Sequence, residues 1–151
     1  MVVYTDVLIV GAGHAGAQAA IALRSAQYRG RITLLGDEGE LPYERPPLSK
    51  EYLSGDKPFD RLLIRPPAFW SDREIDLVAG GRIASVDAQA HVAFADDGRA
   101  YRYRHLIWAA GEPLGIADYG LYAMDSLRLE KCYRGWKGDL TTEYTPAMAS
   151  L

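Results

Sequence analysis

The chain has 151 residues, 48% of them hydrophobic, and a formal net charge of −3. That is enough for one ordinary domain with a real core, and the acidic balance leaves no basic footprint for nucleic acid. The apolar run at residues 7–10 is too short for a signal peptide or a membrane span, and the single cysteine, Cys132, allows neither an intramolecular disulfide nor a CxxC pair, so a cytoplasmic location is expected. His14, His91 and His105 are scattered without ligand spacing, so no metal site is expected.

The first element is a strand at residues 6–10. Val7, Leu8, Ile9 and Val10 are four apolar residues in a row, three of them β-branched, the pattern of a strand buried on both faces. Gly11-Ala12-Gly13-His14-Ala15-Gly16 follows as a G-x-G-x-x-G. In such a turn Gly11 permits the sharp reversal, Gly13 removes a Cβ from the path of a pyrophosphate, and Gly16 lets the next helix pack closely on the strand. Residues 15–26 are alanine-rich with Ile21 and Leu23 and read as that helix, whose N-terminus favours a diphosphate. Gly30 is expected to end it, and residues 31–35 form the second strand. Asp37 lies 21 positions after Gly16, where a carboxylate can accept both hydroxyls of an adenosine ribose. A glycine-rich turn in an unrelated α/β protein is the plainer alternative.

After a turn at residues 36–40, the Pro46-Pro47 pair is expected to hold Arg45 in an extended conformation, with a short helix over residues 48–53 ended by Ser54-Gly55. A rigid loop carrying Arg45 and Lys50 could set fixed positive charge near phosphates or a redox ring. It could equally be a surface loop with two solvated cations. Pro66-Pro67 opens a helical turn through Phe69, Trp70 and Asp72. Residues 75–78 alternate as a strand, Gly80-Gly81 turns the chain, and residues 82–86, 91–94 and 101–103 read as an antiparallel meander with turns at residues 87–89 and 96–98. Residues 105–109 read as a further buried strand running into Ala110-Gly111. The expected fold class is α/β: a Rossmann-like parallel sheet of residues 4–10, 31–35, 75–79 and 105–109, with helices and the meander beside it.

Residues 6–111 resemble the N-terminal part of the flavin-dependent ferredoxin reductases, the putidaredoxin and rubredoxin reductases among them, which are relatives of glutathione reductase. The residues that carry the resemblance are 7–16, Leu35-Gly36-Asp37-Glu38 and above all Pro42-Tyr43-Glu44-Arg45-Pro46-Pro47-Leu48-Ser49-Lys50. This resemblance implies an incomplete FAD-binding domain of the two-dinucleotide type, with FAD rather than NAD at the glycine turn. It implies that Gly11, Gly13, His14, Ala15 and Gly16 lie along the FAD pyrophosphate, and that Asp37, with Glu38 beside it, takes the ribose. Arg45 and Lys50 would sit by the FAD, Lys50 near the isoalloxazine ring, where a cation favours the reduced flavin. Ile83 would meet the adenine through its backbone. Ala109, Ala110 and Gly111 match a family strand end beside the cofactor, with Ala110 where a threonine is usual. His14 itself reads as a packing residue of the turn.

In such reductases NAD(P)H gives a hydride to the flavin, which passes single electrons to a ferredoxin or rubredoxin. A second G-x-G-x-x-G for NAD(P)H does not occur in these 151 residues. Residues 1–114 are therefore expected to be a partial FAD-binding domain, and residues 115–151 a divergent tail. That tail either covers a sheet edge or belongs to a truncated or frame-shifted gene product, the second being favoured. Residues 121–129 could make a short helix. The expected function is the FAD-binding portion of such a reductase, unable to turn over NAD(P)H by itself. The alternatives are a non-catalytic flavin- or nucleotide-binding module and an NAD-binding Rossmann domain, against which the Arg45-Pro46-Pro47 loop argues.

Overall fold

The apolar run at residues 7–10 becomes the middle of a sheet. In the computed structural model, which describes residues 1–110, it is the C-terminal half of β1 (Val2–Val10), flanked on both sides by parallel strands. Gly111, Cys132, the proposed tail and its helix at residues 121–129 lie outside the described residues. The chain continues through α1 (His14–Ser25), β2 (Ile32–Leu35), 3₁₀ turns at Pro46–Ser49 and Phe59–Leu62, α2 (Pro67–Asp72), β3 (Ile75–Val78), β4 (Ile83–Asp87), β5 (Val92–Ala95) and β6 (Ala100–Trp108). The six strands form one mixed sheet in the order β3-β2-β1-β6-β5-β4. Strands β3, β2, β1 and β6 are parallel, whereas β5 and β4 are antiparallel to their neighbours.

The sheet separates two cores. Val7 and Ile9 pack with Ala17 and Ala20 of α1, Ile32 and Leu34 of β2, and Trp70 of α2. Leu8 and Val10 face the other way, toward Leu35, Ile83, Ala93, Ala95, Tyr101 and Tyr103. Residues from helix, strand and loop therefore bury both faces of β1, which explains why its C-terminal half alternates nothing and is apolar throughout. At Asp6 and Val7 both amides donate to the Arg31 carbonyl, each at 3.0 Å. Past that doubled contact the parity of the faces changes: Val3 joins the core of Leu8 and Val10, not that of Val7.

Four expectations need correction. The segments 101–103 and 105–109 are not separate strands. They are one nine-residue strand, β6, whose first residues pair with β5 while its whole length pairs with β1. Helix α1 ends five residues before Gly30. Gln27 takes the left-handed conformation (φ 61°), its N–H bonds to the Arg24 carbonyl and that of Tyr28 to the Leu23 carbonyl, each at 3.0 Å, which is a Schellman closure built without glycine. The short helix over residues 48–53 is instead the 3₁₀ turn Pro46–Ser49 followed by turns. Arg45 is helical (φ −78°, ψ −36°), not extended, because its carbonyl accepts the Leu48 N–H at 3.0 Å to start that turn. This hydrogen bond overrides the usual preference of a residue before proline.

Candidate functional site

Register places the carboxyl ends of the four parallel strands in one row, since Val10 pairs with Leu35 and with Trp108, and Leu35 pairs with Val78. The segments that leave them start flush: Gly11 after β1, Gly36 after β2, Ala79 after β3 and Ala109 after β6. Backbone hydrogen bonds tie these segments together. The Gly11 N–H donates to Leu35 at 2.7 Å, Ala109 to Val10 at 2.7 Å, Gly36 to Val78 at 3.0 Å, and Gly81 to Gly36 at 2.8 Å. The chain leaves β1 for β2 and β3 on one side, and β6 lies on its other side, so the end of β1 is the topological switch point where an open α/β sheet binds ligands.

The three glycines of the turn do different work there. Gly11 adopts φ +105°, and a Cβ would stand 2.6 Å from the Ala109 backbone. At Gly16 a Cβ would fall 1.9 Å from the Gly11 carbonyl oxygen. Both are demanded by the protein's own packing. Gly13 is different: an added Cβ would meet nothing within 4 Å. The missing side chain leaves open space beside the start of α1. Gly13 is also the N-cap of α1, no side chain caps the helix, and no acidic residue stands in its first turn. The orphan amides and dipole of a twelve-residue helix thus face a cradle in which no side chain among the described residues caps them. An anionic diphosphate fits this arrangement.

His14 and Ala15, at the head of α1, are exposed. His14 does not pack in the turn as expected, because the first residue of a helix whose buried face begins at Gly16 points to solvent. Gly36 was not singled out from the sequence as a packing residue, yet a Cβ on it would stand 2.5 Å from the Ala12 Cβ. Its position directly after a fully buried strand was the available signal.

Past Gly36, the consecutive acids diverge. Asp37 is exposed and makes no hydrogen bond or ion pair among the described residues, leaving both carboxylate oxygens available. Glu38 is engaged: its Oε2 accepts the Tyr43 hydroxyl at 2.7 Å and its Oε1 accepts the Arg45 Nη2 at 2.5 Å. The Tyr43 hydroxyl and then the Arg45 guanidinium hold the Glu38 carboxyl below its ordinary value, and the same contacts push the Tyr43 and Arg45 groups up. Arg45 is therefore no free solvated cation, whereas Lys50 is exposed at the end of the 3₁₀ turn. Ile83 buries its side chain in the second core from β4, the outer strand of the sheet. Ala109 and Ala110 line the rim beside Gly11. The structure thus brings together Gly11, Gly13, Gly16, Ala109 and Ala110, and joins Glu38 to Arg45. Among the described residues no cluster of His, Cys, Asp or Glu has the makings of a metal site, and no helix is long and apolar enough to cross a membrane.

The chain's residues 5–124 match the family model described as pyridine nucleotide-disulphide oxidoreductase. It is 54% identical over 106 residues to a ferredoxin–NAD(P)(+) reductase of a Sphingomonas species, covering 70% of this chain and 26% of that protein. It is 40% identical over 105 residues to the rubredoxin–NAD(+) reductase of Pseudomonas putida, covering 70% of this chain and 27% of that protein. Among solved structures, the covalent putidaredoxin reductase–putidaredoxin complex superposes with a TM-score of 0.69 at 30% identity, covering 83% of this chain and 34% of the other. The chain spans about a quarter of the length of the curated relatives it matches.

Proposed function

This chain belongs to the pyridine nucleotide-disulphide oxidoreductase family, and from that premise we propose that it is the FAD-binding portion of an NAD(P)H-dependent ferredoxin or rubredoxin reductase. The observation that carries the reading is the open cradle at Gly13 over the uncapped N-terminus of α1. The first-turn amides of α1 and the guanidinium of Arg45 meet the diphosphate, and the exposed carboxylate of Asp37, which makes no hydrogen bond among the described residues, accepts the ribose hydroxyls. Gly11 and Gly16 hold the turn, and Ala15 and Ala109 keep small side chains along the cofactor's path. The backbone of Ile83 borders the adenine. Lys50 supplies positive charge beside the flavin ring. In a whole reductase of this kind, bound FAD would supply the redox chemistry that carries electrons from a nicotinamide nucleotide to an iron–sulfur protein. We place the boundary of the FAD-binding part at about residue 114 and the protein in the cytoplasm.

Purification of the full chain with added FAD tests the reading. A yellow chain whose flavin absorbance co-elutes in equimolar amount supports it. Retention of NAD with no affinity for FAD overturns it in favour of a nicotinamide-binding domain.

A further inference from the structure

Arg45 is held on two sides. The Glu38 carboxylate takes its Nη2, and its Cζ lies 5.5 Å from the centroid of the Tyr43 ring. Tyr43 is fixed in turn. Its hydroxyl donates to the other Glu38 oxygen, its ring packs on Phe59 at 5.2 Å between centroids, and its backbone bridges to Leu63. The Glu44 N–H donates to Leu62 at 2.8 Å and the Ile64 N–H to Pro42 at 2.9 Å, so the segment carrying Tyr43 is laced to residues 62–64. One carboxylate thus joins two loops, the acidic one leaving β2 and the diproline one, and uses both oxygens to do so. A single guanidinium nitrogen is spent on Glu38; the half-exposed remainder of the fork makes no other hydrogen bond among the described residues, with the Tyr43 ring against it and the Asp37 charge acting on it.

Resting on the reading of the glycine turn as an FAD site, we infer that Glu38 and Tyr43 are positioning residues for Arg45: together they aim its guanidinium so that the unspent donors meet the cofactor's diphosphate. Glu38 on this view does not touch the cofactor. A planar fork fixed on one edge by a carboxylate and on one face by an aromatic ring loses less freedom on meeting a second anion than an arginine loose in water. The neighbouring roles divide accordingly: Asp37 faces the ribose, Glu38 faces Arg45.

The test is FAD titration of the full chain by flavin fluorescence, for wild type, Glu38→Gln, Tyr43→Phe, Arg45→Gln and the Glu38→Gln/Arg45→Gln double variant. Glu38→Gln is expected to weaken FAD about tenfold, Tyr43→Phe less, and the double variant no more than Arg45→Gln alone. Phosphorus NMR of the bound diphosphate should shift in Glu38→Gln in the same direction as in Arg45→Gln, a signature that general loosening of the loop does not produce. Losses that multiply in the double variant mean that Glu38 contacts the cofactor itself, and overturn the inference. So does unchanged or tighter binding by Glu38→Gln, which makes Glu38 a mere mask for the charge of Arg45. Should wild type bind no FAD, the site reading falls and this inference falls with it.

Discussion

The carbonyl oxygen of Gly11 lies where a Cβ on residue 16 would have to stand, 1.9 Å from that position. The obstacle is backbone, with no flexible side chain to swing away, so the turn and α1 can close only on glycine.

Gly16→Ala should therefore destabilise the fold by about 1–3 kcal/mol through overpacking. Gly13→Ser should do the opposite, because its Cβ would meet nothing within 4 Å among the described residues and a serine N-cap is better than glycine by a few tenths of a kcal/mol. The same serine occupies the cradle, so FAD binding should be lost. Urea unfolding and flavin titration of the two variants separate the glycine that serves the fold from the one that serves the ligand.

Asp37→Ala removes an exposed carboxylate that makes no hydrogen bond or ion pair among the described residues and acts on Arg45 only through its charge. Stability should stay within about 0.5 kcal/mol of wild type. FAD affinity should fall by roughly 1.5–3 kcal/mol, the scale of hydrogen bonds to a charged group. Unchanged affinity by fluorescence titration removes Asp37 from the ribose.

The lowered pKa of Glu38 carries a pH dependence whose sign is fixed. Its ordinary value is 4.5, and folding depresses it through Tyr43 and then Arg45. The stabilisation is thus fully present above about 4.5 and is lost as pH falls through the lower folded value. Both side chains of the ion pair are about half exposed, so the effect at pH 7 is at most about 1 kcal/mol. Wild type minus Glu38→Gln, followed by urea unfolding without cofactor, should show this gap at neutrality and none in strong acid.

Arg24 is a structural knot with no hint in the local sequence. Its guanidinium donates to the carbonyls of Arg73, Tyr28 and Glu74 at 2.7 Å and of Gly30 at 2.9 Å, tying the end of α1 to the loop that enters β3. Arg24→Met keeps the apolar stem and deletes the donors. Thermal unfolding should show a loss of about 2–3 kcal/mol, since these are charge-assisted bonds and several go at once.

The full chain loaded with FAD should not oxidise NADH or NADPH. Electron transfer from a nicotinamide needs its ring held at about 3–3.5 Å from the flavin, and losing that placement forfeits roughly 7–11 kcal/mol. The glycine pattern for a second dinucleotide occurs nowhere else in the 151 residues. Stopped-flow mixing should leave the flavin yellow with either nucleotide and bleach it with dithionite. Bleaching by NADH within seconds at micromolar protein contradicts the prediction.

Much of this was legible in the chain. The β1–turn–α1–β2 unit follows from residues 7–16 and 32–35, where local composition and tertiary role agree: buried strand, glycine turn, small-residue helix. The row of strand ends was implied once those strands were parallel. What could not be read depended on distant partners. Strand β6 looks like two strands because only its first residues pair with β5, while Arg104 and His105 interrupt its apolar pattern with exposed polar side chains. Arg24 is ordinary until residues 73 and 74 come round to it. Glu38 and Arg45 are seven positions apart, and either could have been solvated. Only the folded loops decide that one holds the other.

The flush row of Val78, Leu35, Val10 and Trp108 makes any ligand seated there a tie across segments that lie far apart in the chain. By thermodynamic linkage, occupancy and folding then rise together. With free ligand at a hundredfold over its dissociation constant, the native state gains about 2.7 kcal/mol. For a small sheet with short outer strands that is a large fraction of its stability, enough to turn cofactor supply into a determinant of how long the chain survives proteolysis.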